Sequence, residues 1–137
     1  MNEILKELLS SNQGKIRINF RHFPMAHKHQ KAMKAAEAAV AAAQEGLFWE
    51  MHNLLFENNK KLGTISLKQY AKEAGSTNKR FLDQMVNGTY ACQVREDLLD
   101  AVERGLTEVP AIFINGQRYM DEVTVLNLQQ KIDDLLP

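Results

Sequence analysis

The sequence predicts an α/β fold in which helices pack against one small mixed sheet. The apolar residues Ile16, Ile18 and Phe20 alternate with polar ones, which is the pattern of a strand that has one buried face. An apolar and partly β-branched run at 109–114 is followed by an Asn-Gly pair, the strongest short-range signal for a β-hairpin. A block with helical spacing separates these two regions, so the fold combines a strand and a hairpin with an intervening helical segment.

The helices are predicted from apolar residues that recur at intervals of three and four. The segment 26–44 is dominated by alanine, the strongest helix former. Ser66 followed by Gln69 has the spacing of a capping box, which places the start of a helix at 66. In chain order, the predicted helices cover 2–9, 26–44, 47–58, 66–74, 78–86, 90–104 and 123–136, and the predicted strands cover 16–21, 109–114 and 117–120.

The composition is that of one globular domain with balanced charge. A chain of 137 residues is long enough to bury a core as a single domain, 1–137, without disulfides. The 17 basic and 17 acidic side chains balance, so the charge favours neither nucleic acid nor a membrane surface as a partner. A single cysteine excludes an intrachain disulfide, a Cys-x-x-Cys pair and a multi-cysteine zinc site within these residues.

The first nine residues do not have the pattern of a secretory signal. Such a signal needs an uninterrupted apolar run, and Glu3, Lys6 and Glu7 interrupt it here. The Ala-rich segment 35–43 contains a glutamate and is too short to cross a bilayer. As written, the chain is expected in the cytoplasm, whereas a full-length form could be exported.

Four segments, taken together and in this order, are typical of one family. They are IRINFRHFP at 16–24, AAEAA at 35–39, GLFWEMH at 46–52 and VPAIFING at 109–116. With these segments the chain resembles the DsbA-like branch of the thioredoxin superfamily, the thiol-disulfide oxidoreductases, over nearly its whole length. The resemblance implies a thioredoxin-like mixed sheet with an inserted helical subdomain at about 26–106.

The resemblance also implies that the chain is truncated at its N-terminus. The family pattern opens with a central β-strand and a Cys-x-x-Cys motif at the start of the first helix, and the present sequence begins partway along that helix. The family reaction, thiol-disulfide exchange on protein substrates, needs an attacking thiolate and a second thiol that resolves the mixed disulfide. The chain as written is therefore expected to be redox-inactive, with no catalytic residue and no cofactor.

The alternatives to a truncated oxidoreductase are two. The first is a non-catalytic thioredoxin-like module that binds peptides or associates with itself. The second is a glutathione-dependent relative, which would need an activating hydroxyl at the missing helix start, whereas Ser10 and Ser11 lie at the other end of that helix. Cys92 lies near the start of a predicted helix, which suits a reactive thiol, but a small packing residue is the more usual role of a free cysteine.

Val109 and Pro110 are the candidate substrate-binding residues. By the resemblance, Pro110 occupies the cis-proline position, and the backbone of the preceding residue pairs there with an extended segment of a protein or peptide substrate. The alternative is that the proline only opens a strand. The missing central strand would also leave open sheet edges, which recruit other chains, so self-association is expected.

A metal site is not expected. The candidates are four histidines without a common spacing, whereas zinc needs three or four ligands that converge on one point. The aromatic and methionine side chains at 48–56 could line a ligand pocket, but a stripe at helical spacing is more often part of the core. The four histidines are His22, His27, His29 and His52.

Overall fold

The computed structural model describes residues 1–25 and 27–137. In these residues the chain forms seven helices and two short strands, so the predicted combination of helices with a small sheet is confirmed. In chain order they are α1 (Asn2–Ser11), α2 (Ala32–Gln44), α3 (Phe48–Glu57), α4 (Thr64–Ala74), α5 (Lys79–Val86), α6 (Ala91–Glu103), β1 (Phe113–Ile114), β2 (Gln117–Arg118) and α7 (Val125–Leu135).

The chain divides into two compact units. The first consists of residues 1–20 and 106–137, and the second of residues 21–105. The sequence placed the inserted helices at about 26–106 within a single domain, and that domain organisation remains a prediction. Ala26, where both the insertion and the second helix were predicted to begin, lies outside the described residues; α2 begins at Ala32.

The first unit joins the two terminal helices through a reciprocal pair of amides. The side-chain nitrogen of Asn12 donates to Oε1 of Gln129 at 2.6 Å, and the side-chain nitrogen of Gln129 donates back to Oδ1 of Asn12 at 2.9 Å. Asn12 is buried at the end of α1, and Leu8 and Leu128 are the buried apolar residues of α1 and α7. Two paired amides satisfy each other inside the unit, where a single one would be costly.

The β-hairpin predicted from the Asn-Gly pair is present in the first unit. Its strands are antiparallel, with Phe113 opposite Arg118 and Ile114 opposite Gln117. The turn residue Asn115 has φ +48° and the following glycine has φ +83°, as a two-residue type I′ turn requires. Both strands are shorter than predicted, although the Tyr119 N–H donates to the Ile112 carbonyl at 2.8 Å just beyond the ladder.

The strand predicted at 16–21 is not formed, and this local prediction is wrong. Residues 16–20 have no regular secondary structure, yet Ile16, Ile18 and Phe20 are partly buried while Arg17 and Asn19 are exposed. The period of two therefore survives in the burial of the side chains. A strand is also defined by ladder hydrogen bonds to a neighbour, and in the described part of the chain the only ladder is that of the hairpin.

The second unit is helical and is built around the alanine-rich helix α2. Seven consecutive residues of α2, 36–42, are buried, which places more than one face of this helix against neighbours. Alanine makes this possible because its small side chain lets helices approach closely while favouring the helical backbone. The largest side chains fully buried around it are Met51, Leu67, Met85 and Val94.

The starts of α4 and α5 can be compared with the helix starts predicted from the sequence. The side chain of Asn78 accepts a hydrogen bond from the Phe81 N–H at 3.2 Å and caps α5, where a helix was predicted to begin. The capping box predicted at Ser66 is wrong, because α4 already begins at Thr64, with Gly63 as its N-cap. The glycine at 75 ends α4 with φ +116°, a left-handed conformation that favours glycine.

Candidate functional site

The loop that leads into β1 carries the candidate substrate-binding residues Val109 and Pro110. The peptide bond between them is cis. Residues 107–110 are all exposed, and Val109 shows 47% of its surface although it is apolar. Within the described residues, neither the N–H nor the carbonyl of Val109 has a hydrogen-bond partner. The structure therefore presents an apolar side chain and unpaired backbone groups together at the surface.

The groups that this loop exposes are of the kinds that pair with an extended peptide. An extended peptide binds another backbone through N–H and carbonyl groups and takes its specificity from alternate side chains. The unpaired groups of Val109 offer a donor and an acceptor, and its exposed side chain offers an apolar contact. The sequence named both residues through the resemblance, because neither composition nor periodicity marks them.

Cys92 lies in the first turn of α6 and is exposed. The interpretation as a packing residue is therefore wrong. The side chains of α6 that face the core are Val94, Asp97 and Ala101, and Cys92 lies off this face. Because it is the only cysteine of the sequence, no second thiol of this chain can resolve a mixed disulfide formed on it.

Asp97 is a buried charged residue of the second unit that the sequence analysis did not single out. It is 5% exposed. Its Oδ1 accepts a hydrogen bond from Nη1 of Arg21 at 2.9 Å, and its Oδ2 accepts one from the backbone N–H of His22 at 2.9 Å. The hydrogen bond and the charge of Asp97 raise the pKa of Arg21. One carboxylate thus binds the first two residues of this unit to α6.

A signal for Asp97 was present in the sequence. Val94, Asp97 and Ala101 are spaced by three and four residues, so the aspartate falls within the apolar stripe of α6. A carboxylate in such a stripe needs partners, because burying an unpaired charge is costly. The sequence could not supply the partners, which come from 75 and 76 residues away.

His22 is buried beside an aromatic cluster on α3. Its ring lies edge-on to Phe48 with 6.1 Å between the centroids, and the ring of His52 stacks on Phe48 at 5.5 Å. Burial lowers the pKa of His22, while the charge of Asp97 acts in the opposite direction. The net shift of the pKa of His22 is downward, because burial penalises the charged imidazolium.

The remaining aromatic and methionine side chains of α3 divide between core and surface. Met51 is fully buried, and the ring of Trp49 lies edge-on to Phe48 at 5.0 Å. Phe56 is 51% exposed, although its ring contacts His52 at 4.6 Å. The interpretation of this stripe as core therefore holds for Met51 and fails for Phe56.

The described residues contain no candidate metal centre. No group of three or more histidine, cysteine, aspartate or glutamate side chains converges there as a metal site would require. In the same residues no helix combines the length and the apolar character that crossing a membrane demands.

A two-stranded antiparallel hairpin with helices before and after it makes the chain a helix-rich α/β protein. A family model described as thioredoxin matches residues 1–134, and the chain belongs to this family. The predicted thioredoxin-like fold class is thereby confirmed. No solved structure matches the chain.

The curated relatives that match are much longer proteins, and only a segment of each is similar to this chain. A Na(+)/H(+) antiporter NhaA 3 of Salinispora tropica is 35% identical over 104 residues, which are 76% of this chain and 16% of the relative. A Na(+)/H(+) antiporter NhaA 1 of Salinispora arenicola is 35% identical over 115 residues, or 84% of this chain and 18% of the relative. A protein of the same name from Mycolicibacterium vanbaalenii is 37% identical over 103 residues, or 73% and 16%. The chain thus spans about a sixth of the length of these relatives.

Proposed function

We propose that this chain is the peptide-binding part of a DsbA-type protein-disulfide oxidoreductase domain. The observation that carries the proposal is the exposed loop at 107–110, where Val109 presents an apolar side chain and unpaired backbone groups beside a cis proline. The thioredoxin family membership supports a role in thiol-disulfide exchange. The ligand is an extended segment of a protein substrate.

The thiol chemistry of such a domain is not complete in these 137 residues. Exchange begins when a thiolate attacks a disulfide sulfur, which forms a mixed disulfide and releases the other sulfur as a thiolate. A second thiol then attacks the mixed disulfide and frees the first sulfur. Cys92 could supply one sulfur only. We therefore propose a chain that binds substrate without turning it over.

The antiporter activity named for the relatives is not carried over to this chain. The shared segment is about a sixth of those proteins, and an ion-transport activity described for the whole protein can reside in the remainder. What the match supports is that a domain of this type occurs within longer proteins.

Replacing Val109 with aspartate is expected to weaken peptide binding roughly tenfold, or about 1.4 kcal/mol. The charge would have to lose its water when a peptide covers the loop, and that loss is costly. The measurement is the dissociation constant of an unfolded, carboxymethylated polypeptide by ¹H–¹⁵N NMR titration, with the Val109 amide among the resonances that shift. The same preparation should reduce insulin no faster than buffer does.

The matched control is Leu126→Asp, a second exposed apolar residue of the same unit, 75% exposed on α7. It adds the same charge away from the loop and should leave the affinity unchanged. Equal weakening by both variants, or shifts that avoid residues 107–111, would contradict the proposed binding site. Insulin reduction that stops when Cys92 is alkylated would contradict the non-catalytic assignment.

We also propose that the chain associates with itself. The supporting observation is that the side chains of residues 16–19 alternate between partly buried and exposed, as in a strand. These residues nevertheless belong to no ladder in the described part of the chain. Such a segment can pair with a second copy.

Light scattering after size exclusion should then give a mass that rises above 15.6 kDa as the concentration reaches the micromolar range. Ile18→Lys should return the mass towards that of the monomer, because a lysine on the apolar side obstructs packing against a second strand. Asn19→Lys, which adds the same charge on the exposed side, is the control. A mass of 15.6 kDa at every concentration would rule out the association.

A further inference from the structure

A pocket of about 290 Å³ lies between the β-hairpin and α7 in the first unit. Its apolar lining comes from Ile114, Met120 and Leu135. Met120 is 76% exposed and Leu135 is 46% exposed, so a ligand in this pocket would cover apolar surface that now faces water. Covering such surface is favourable in proportion to its area. The lining therefore suits a small ligand with an aliphatic body.

The same pocket contains three charged side chains that have no ion-pair partner. Arg118, Lys131 and Asp121 all line it, and none of them forms a salt bridge among the described residues. The lining thus has one net positive charge. Arginine and lysine donate charge-assisted hydrogen bonds to carboxylates, which are stronger than neutral ones.

The negative charge of Asp121 and the hydroxyl of Tyr119 restrict the kind of anion that suits the pocket. Asp121 repels anions, so it disfavours a multiply charged group such as phosphate more than a single carboxylate. The hydroxyl of Tyr119 already donates to the carbonyl of Glu122 at 3.2 Å, so the charged donors that the pocket offers an anion are Arg118 and Lys131.

We propose that this pocket binds a small aliphatic monocarboxylate. Its carboxylate lies against Arg118 and Lys131, and its chain covers Met120 and Leu135. This site shares no residue with the loop at 107–110 and is independent of the peptide-binding proposal.

The test uses the full chain labelled with ¹³C at the methionine methyl groups, and hexanoate as the probe. Met120 is the one of six methionines that lines the pocket, so its methyl resonance should shift and saturate at millimolar hexanoate while the other five stay in place. Hexylammonium keeps the aliphatic chain and reverses the charge, and inorganic phosphate keeps negative charge without the chain. Neither should saturate the Met120 resonance in the same range.

Lys131→Gln should weaken hexanoate binding about fivefold or more, since it removes the charge and keeps most of the length. Lys131→Arg should retain the binding, and Lys15→Ala, an exposed cation elsewhere in this unit, should not change it. Circular dichroism establishes that each variant is folded. The proposal is overturned if hexylammonium or phosphate shifts Met120 as hexanoate does, if the shift does not saturate, or if Lys131→Gln binds like the original chain.

Discussion

Replacing Asp97 with alanine is expected to lower the free energy of unfolding by about 2–4 kcal/mol. The substitution removes the acceptor of the buried His22 N–H, and an unsatisfied buried donor costs about 1–3 kcal/mol. It also removes the charge-assisted hydrogen bond from Arg21, whose contribution is smaller because its side chain is 72% exposed. The measurement is urea unfolding at pH 7, followed by far-UV circular dichroism.

Asp100→Ala is the matched control for this prediction. Asp100 lies on the same helix and accepts a hydrogen bond from Nε of Arg104 at 3.0 Å, but both side chains are about half exposed. Exposed pairs of this spacing contribute about 0.3–0.5 kcal/mol. If the two alanine variants lose equal stability, the hydrogen bonds of Asp97 to Arg21 and His22 do not stabilise the fold as their geometry indicates. Asp97→Asn, which keeps an acceptor oxygen, should fall between Asp97→Ala and the original chain.

Replacing Ala41 with leucine is expected to lower the free energy of unfolding by about 1–3 kcal/mol. Ala41 is fully buried in the core around α2. In an interior at the usual packing density, the added carbon atoms force neighbouring side chains from their preferred rotamers. The helical preference of leucine is close to that of alanine, so the loss reports packing rather than propensity. Urea unfolding of the variant and of the original chain measures it.

Ala43→Leu makes the identical change two residues further along α2, where the side chain is exposed. It should alter stability by less than about 0.5 kcal/mol. A large loss of unfolding free energy at both positions would mean that leucine destabilises the helix itself. An unchanged unfolding free energy at Ala41 would show that the interior around α2 has room for a larger side chain.

The accuracy of each sequence prediction depended on how local its physical cause was. The hairpin was predictable because an Asn-Gly pair adopts positive φ with little strain, whatever surrounds it. The helices were predictable because apolar spacing and alanine content act within a few turns. Their ends differed by a few residues, as at α4, which begins at Thr64 and not at Ser66.

The strand at 16–21 shows where a local pattern is insufficient. Its alternation correctly predicted which side chains turn inwards, because that depends on each residue and its neighbours. Whether the backbone forms a strand depends on a second segment that supplies the ladder, and the described residues supply none there. A pattern in one segment contains no information about its partner.

The candidate site divides in the same way. Val109 and Pro110 could be named only through the resemblance to a family, and the structure adds the cis bond, the exposure and the unpaired backbone. The exposed position of Cys92 could not be read from the sequence, because a free cysteine suits either face of a helix. Nor could the sequence show that the cations of the hairpin and of α7 line one pocket.

By itself, the sequence determined the thioredoxin-like class, the order of the helices, the position of the hairpin turn and the presence of only one sulfur for exchange chemistry. The class follows from the resemblance to a family, and the other three properties follow from residue types, spacing and counting. Only the tertiary structure decided that Asp97 holds Arg21 and His22, that Cys92 faces outwards and that residues 16–20 lack a ladder. Each of these depends on contacts between segments far apart in the chain, and such contacts exist only after the chain has folded.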